Sequence, residues 1–79
     1  MNVQVRLFAS LHRFAGDTTP GTPIDVELPD GATLTDLCQT LRLPADEVKL
    51  TYVNGRVQAE DWPLQSGDEI GIFPPIGGG

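Results

Sequence analysis

The stretch Pro29-Asp30-Gly31-Ala32-Thr33-Leu34-Thr35-Asp36-Leu37-Cys38-Gln39-Thr40-Leu41-Arg42-Leu43-Pro44 holds the one extended helical period in this sequence. Leu34, Leu37, Cys38 and Leu41 fall at i, i+3, i+4 and i+7, which gathers them into a single apolar stripe. Thr33 stands where an N-cap belongs. Asp36, three residues on, places a carboxylate in the first turn, where the helix dipole favours it. Pro44 cannot continue a helix and disfavours helical backbone just before it, so the helix is predicted to run from about Leu34 to about Leu43. A short helix with one apolar stripe must lie on a sheet or on another helix, and the flanking sequence offers strands.

Upstream, Val3, Val5 and Leu7 alternate with Gln4, Arg6 and Phe8, the period of two expected of a strand with one buried face. This parity turns Phe8 away from the main core. Ser10 to Phe14 has room for one or two helical turns, and Gly16-Asp17-Thr18-Thr19-Pro20-Gly21-Thr22-Pro23 is a turn-rich connector with an expected mobile tip. Ile24, Val26 and Leu28 share one face of a second strand that should pair with the first. Downstream of the helix, Val48 to Val53 reads as strand. Asn54-Gly55 reads as a hairpin turn because both residues tolerate positive φ, and Arg56 to Ala59 as the return strand. Glu60-Asp61-Trp62-Pro63-Leu64 is irregular. Ser66-Gly67-Asp68 turns the chain into a last strand, Glu69 to Phe73, which ends at Pro74-Pro75 because proline has no N–H to donate. The order β-β-α-β-β is satisfied by a two-layer α+β fold with one main helix on one face of a mixed four- or five-stranded sheet. The division expected is one domain over residues 1–76 and a glycine tail over 77–79.

Composition narrows the function. With 79 residues there is one domain, which buries only about 60–65% of the surface of its unfolded chain, so a deep enclosed active site is not expected. A compact binding or carrier module is the better expectation. One cysteine cannot form an internal disulfide, and no signal-peptide pattern opens the sequence, which makes a cytoplasmic location the expectation. No apolar run approaches the ~18 residues that span a bilayer. Eleven acidic residues against five scattered basic ones give a net charge of -6, which disfavours nucleic acid and membrane surfaces and favours a protein partner with a basic face.

The end of the chain, Ile72-Phe73-Pro74-Pro75-Ile76-Gly77-Gly78-Gly79, carries the strongest chemical signal. Two prolines stiffen the exit from the sheet, and three glycines then carry the terminal carboxylate without any Cβ. From Pro75 to Gly79, at ~3.3 Å per residue, such a tail reaches on the order of 15 Å, enough to enter a channel in a partner. A carboxylate is a poor electrophile, but adenylation by ATP makes it an acyl donor, and a glycine leaves both faces of the carbonyl open. Composition alone equally allows a frayed end or a linker. Phe8 and Phe73 both lie opposite the apolar face of their strands, so the pair is expected to face solvent as a binding site, the alternative being a second small core under the irregular segment.

Other residues carry less. Cys38 lies in the apolar stripe and reads as a buried small hydrophobe rather than a persulfide carrier. His12 has no partner at ligand spacing, so no metal site is expected. Asp46-Glu47, Glu60-Asp61 and Asp68-Glu69 lack calcium-loop spacing and read as solvated charge, with some steering of a basic partner. Trp62 reads as a packing residue of the irregular segment. No nucleophile, base and orienter set is present, nor a Gly-rich loop between strand and helix, and no stably bound cofactor is expected.

Leu7-Phe8-Ala9 with Leu11 and Gly16, Val53-Asn54-Gly55, Leu64, Gly67-Asp68-Glu69-Ile70 and Phe73-Pro74-Pro75-Ile76 ending in Gly78-Gly79 run in order over nearly the whole chain. In these the sequence resembles the MoaD/ThiS family of ubiquitin-like sulfur carriers, most closely the molybdopterin synthase small-subunit branch. The Phe-Pro-Pro-aliphatic-x-Gly-Gly string is the specific part. The resemblance implies a β-grasp (ubiquitin-like) fold and a carrier role. Gly79 would be adenylated by a ubiquitin-activating-type (MoeB-like) enzyme that uses ATP, and converted to a thiocarboxylate with sulfur from a donor such as a cysteine desulfurase or rhodanese. It would then donate that sulfur within a synthase large subunit (MoaE-like) in molybdenum cofactor biosynthesis. It further implies a partner surface formed by Phe8, Val57 and Phe73 and by the tail residues Pro74, Pro75, Ile76, Gly77 and Gly78. A ubiquitin-like modifier that forms isopeptide bonds through Gly79, a carrier for thiamine, cysteine or a tungsten pterin, and a β-grasp interaction domain with an inert tail remain as alternatives.

Overall fold

The computed structural model describes residues 1–15 and 21–75. Five strands form one mixed sheet in the order β2-β1-β5-β3-β4, with β1 at Asn2–Leu7, β2 at Ile24–Glu27, β3 at Leu50–Val53, β4 at Arg56–Val57 and β5 at Glu69–Phe73. β1 lies parallel to β5 in the centre, and all other neighbours are antiparallel. One α-helix, α1 at Leu34–Thr40, covers one face. This is the β-grasp α+β architecture, with five strands.

Parity builds the core. Val3, Val5 and Leu7 of β1, Val26 of β2, Val53 of β3 and Ile70 and Ile72 of β5 are buried toward α1, where Leu34, Leu37 and Leu43 meet them. β1 ends at Leu7, one residue before the predicted end, yet the Phe8 N–H still donates to Ile72 O at 3.1 Å. Ala9–Ala15, expected as helical turns, is a 3-10 helix that buries Leu11.

The start of α1 is as predicted. The Thr33 side chain accepts from Asp36 N, while Asp36 Oδ2 accepts from Thr33 N at 2.9 Å, a reciprocal capping box. The irregular segment satisfies two further first-turn donors, since Leu34 N donates to Trp62 O and Thr35 N to Glu60 O. Its apolar anchor is Leu64, which is buried, and not Trp62, which is 41% exposed and does not fill the packing role expected of it.

The helix ends earlier than the predicted Leu43. Leu41 is its C-cap, and Arg42 takes left-handed backbone at φ 59. Arg42 N donates to Gln39 O and Leu43 N to Cys38 O, both near 3 Å, so a Schellman turn closes α1 and drops Leu43 into the core. Cys38 is half-buried beside this core, not wholly inside it. β3 likewise begins at Leu50, not Val48, because Ala45–Glu47 folds into a 3-10 turn. The hairpin at Asn54 (φ 52) and Gly55 (φ 86) has the positive φ at both central residues that a type I′ turn requires. β4 is shorter than the predicted 56–59, although Gln58 N still donates to Thr51 O. No helix among the described residues is long and apolar enough to cross a membrane.

Candidate functional site

The face of the sheet opposite α1 carries the candidate site. Register aligns Leu50 with Phe73, and Phe8 follows the Leu7↔Ile72 pair, so Leu50, Phe73 and Phe8 form one row across β3, β5 and the end of β1. Beside it, Val57, Tyr52, Gly71 and Arg6 form a second row. The two phenylalanine rings stack with centroids 4.3 Å apart and planes 2° from parallel, and Tyr52 meets Phe73 edge-on at 5.4 Å. Phe8 and Phe73 are therefore half-buried by one another, which corrects the expectation of two solvent-facing rings. Nor do they pack under the irregular segment, which lies with the start of α1.

The stack depends on what stands beneath and beside it. A Cβ placed on Gly71 would come within 3.3 Å of the Phe8 ring and 3.7 Å of the Phe73 ring, and a Cβ on Gly21 within 3.3 Å of Phe8. Ala9, next to Phe8, has a left-handed φ of 52, which turns the chain off the strand as it leaves the ring in place. Lys49 N donates to Phe73 O at 2.9 Å, so the last residue of β5 is held by both its backbone and its ring.

Of the residues picked from sequence, the structure brings Phe8 and Phe73 into contact and sets Val57, 53% exposed, on the same face across Tyr52. Pro74 is half-buried and Pro75 exposed directly beyond Phe73, where a groove runs between them, Leu50, Tyr52 and the turn at Ala45 and Val48. Ile76, Gly77, Gly78 and Gly79 lie outside the described residues. Tyr52, Leu50 and Gly71 were not picked out. The signal for Tyr52 was present, because it alternates with the buried Thr51 and Val53, and a two-residue turn at Asn54-Gly55 sets Val57 opposite it.

Elsewhere the chemistry is muted. Burial, reinforced by the Glu60 carboxylate, pushes the Cys38 thiol above its ordinary pKa, which is the opposite of what a reactive thiolate needs. Among the described residues no three of His, Cys, Asp and Glu gather where they could hold a metal ion, and the His12 side chain lies outside the described set. Asp68 is engaged structurally: it accepts from Asn54 Nδ2 and Gln65 N, while Asn54 Oδ1 accepts from Glu69 N, clasping the hairpin to the start of β5.

Comparisons with known proteins agree with this geometry. The ThiS family profile matches residues 5–79. No curated protein matches the sequence significantly. Among solved structures, the putative molybdopterin converting factor subunit 1 of Pyrococcus furiosus is 28% identical with a TM-score of 0.76, over 96% of this chain and 99% of that one. SAMP1, a small archaeal modifier protein of Haloferax volcanii, is 26% identical with a TM-score of 0.76 over the whole of both chains. A chain of the complex of subunits 1 and 2 of the Helicobacter pylori molybdopterin-converting factor shares the fold at 22% identity and a TM-score of 0.63, over the whole of both chains. With a family match over all but the first four residues, this chain belongs to the ThiS family, in the MoaD/ThiS group of ubiquitin-like sulfur carriers.

Proposed function

We propose that this protein carries sulfur for molybdenum cofactor biosynthesis, as the small subunit of a molybdopterin synthase, with Gly79 as the residue that is activated. The observation that supports this reading is the construction at the end of β5. Phe73 is pinned by its ring and its carbonyl, Pro74 and Pro75 follow with restricted backbone, and the sequence beyond is Ile76-Gly77-Gly78-Gly79. A rigid root bearing a side-chain-poor tail suits delivery of a terminal carboxyl into a partner's pocket.

In this reading the Gly79 carboxylate attacks the α-phosphate of ATP in an adenylating enzyme of the ubiquitin-activating type, and pyrophosphate leaves. The terminal sulfur of a cysteine persulfide, formed on a cysteine desulfurase or a rhodanese, displaces AMP to give an acyl disulfide. A second thiol then attacks the donor's cysteine sulfur, releasing the Gly79 thiocarboxylate and leaving a disulfide behind. Phe8, Val57 and Phe73 dock the large subunit while Pro74 to Gly78 guide the tail into it. The Pyrococcus furiosus likeness and the Phe-Pro-Pro string favour the molybdopterin branch over a thiamine carrier.

Intact-mass spectrometry after incubation with ATP, the cognate adenylating enzyme and a sulfur donor tests this directly. Exchange of one oxygen for sulfur at Gly79, found by fragmentation, is the expected result. Deletion of Gly78-Gly79 should abolish that exchange while circular dichroism stays unchanged, because the strands and the core of the described residues are complete by Phe73. Normal sulfur transfer by the shortened chain would sink the proposal. The likeness to SAMP1 favours a second reading, isopeptide attachment of Gly79 to lysines of other proteins, which Gly-Gly remnants on lysine in digests of cell extract would reveal.

A further inference from the structure

The docking face contains a hollow at Gly71. Arg6 flanks it on β1 and Tyr52 on β3, with the Phe8 and Phe73 rings above and Glu69 below. Its volume is about 300 Å³ and its walls are nearly all apolar, the aliphatic stem of Arg6 included. The hollow exists because β5 presents no side chain at this outward position, between two strands that do. That size is at the lower limit of a small-molecule pocket, and its open shape suits one inserted side chain better than a cofactor.

The charge around it is one-sided. Register places Asp25 beside Gln4 and Glu27 beside Asn2 on this same face, and Glu69 beside Gln4 from the other flank. All three carboxylates are exposed, and Arg6 is the one cation at a strand position of the face among the described residues. Adjacent outward positions along a strand stand about 7 Å apart, and neighbouring strands about 4.8 Å, so the acidic corner starts within one side-chain length of the hollow.

We propose that Gly71 forms a socket for a single aliphatic or aromatic side chain of the partner protein, and that Lys or Arg residues next to that side chain pair with Asp25, Glu27 and Glu69. The inference rests on the docking reading above and deepens it: the partner's contact segment is an apolar knob with basic neighbours. Continuity with the Phe8 and Phe73 stack argues for the same partner surface, and the net charge of -6 argues for the basic neighbours.

The test uses the full-length chain and the cognate synthase large subunit in titration calorimetry. Gly71→Val intrudes on the hollow from its floor, and its Kd should rise at least tenfold while circular dichroism shows the fold retained. Because a Cβ at Gly71 also presses the Phe8 ring, Gly71→Ala is measured with and without Phe8→Leu. A further loss of affinity in the Phe8→Leu background assigns the effect to the socket, whereas no further loss assigns it to the displaced ring and overturns the socket. The pair Asp25→Lys with Glu27→Lys should weaken binding and flatten its salt dependence, and unchanged salt dependence would overturn the basic-neighbour half. If Phe8→Ala and Phe73→Ala weaken binding while Gly71→Val does not, the docking face stands and the socket fails. If those two truncations leave Kd unchanged, the docking reading fails and the socket with it.

Discussion

Phe73 connects the sheet to the tail, and its removal acts on two quantities that can be separated. Phe73→Ala deletes the stack on Phe8 and the edge contact with Tyr52, a stability loss of about 0.5–1.5 kcal/mol beyond the lost burial. As an anchor it should also weaken partner binding by more than ~1 kcal/mol, roughly fivefold in Kd. Equal affinity of the variant and the wild type in calorimetry would make Phe73 a purely structural residue. Cys38 gives a second prediction at this scale. Its thiol is held above the ordinary value by burial first and by Glu60 second, so Glu60→Gln should lower the pKa and speed alkylation by iodoacetamide near pH 8. A folded-state pKa raised over the unfolded value near 8.5 favours the fold fully below that pH, and the contribution fades as pH rises through the folded value. Cys38→Ala should therefore remove part of the alkaline loss of stability in denaturant titrations. Of these residues, Phe8 and Phe73 were legible from parity alone, but their stacking was not, because it follows from the parallel pairing of strands more than sixty residues apart in sequence.

At the scale of elements, local chemistry was legible wherever one residue type answers one backbone demand. Thr33 with Asp36 gave the start of α1, and Asn54-Gly55 gave the hairpin. Thr33→Ala should cost about 1 kcal/mol in chemical denaturation, the usual worth of an N-cap hydroxyl. The end of α1 was harder to read. Arg42 occupies a left-handed position that glycine ordinarily takes, so composition gave no sign of it, and Pro44 alone placed the end too late. The same geometry predicts that Arg42→Gly stabilises the protein by about 0.5–1 kcal/mol, by relieving the Cβ clash while leaving the Schellman bonds in place. A lower urea midpoint for that variant would show that the side chain contributes more than its backbone conformation costs. The turn at Ala45–Glu47 was also not legible. Arg13 reaches Glu47 from the 3-10 helix at Ala9–Ala15 with bonds of 2.6 and 2.7 Å, a contact between segments over thirty residues apart that no local pattern encodes.

Over the whole molecule, α1 with the core lies on one side of the sheet, and the proposed docking face with the Phe8 and Phe73 stack on the other. Strand parity foretold which side chains take each side of the sheet, whereas the hollow at Gly71 depends on which side chains end up as neighbours across three strands. Because acidic groups flank the docking face, association with a basic partner should slow as salt rises past ~0.1 M, where the Debye length is about 10 Å, with a smaller change in the dissociation rate. Stopped-flow association rates from low to high salt check this, and a rate indifferent to salt would remove steering from the account. The central pair of strands has a consequence of another kind. β1 is the first strand to be synthesised and β5 the last, and each lends the other its backbone hydrogen bonds in the middle of the sheet. While residues 69–73 are still inside the ribosome, β1 has a neighbour on one side only, and the buried side chains of Ile70 and Ile72 are missing from the core. A chain released early, anywhere before Phe73, therefore has no finished surface to show. Completion of this face thus waits on the last strand, and under the proposed docking a partner that reads Phe8 and Phe73 would engage only chains translated through β5.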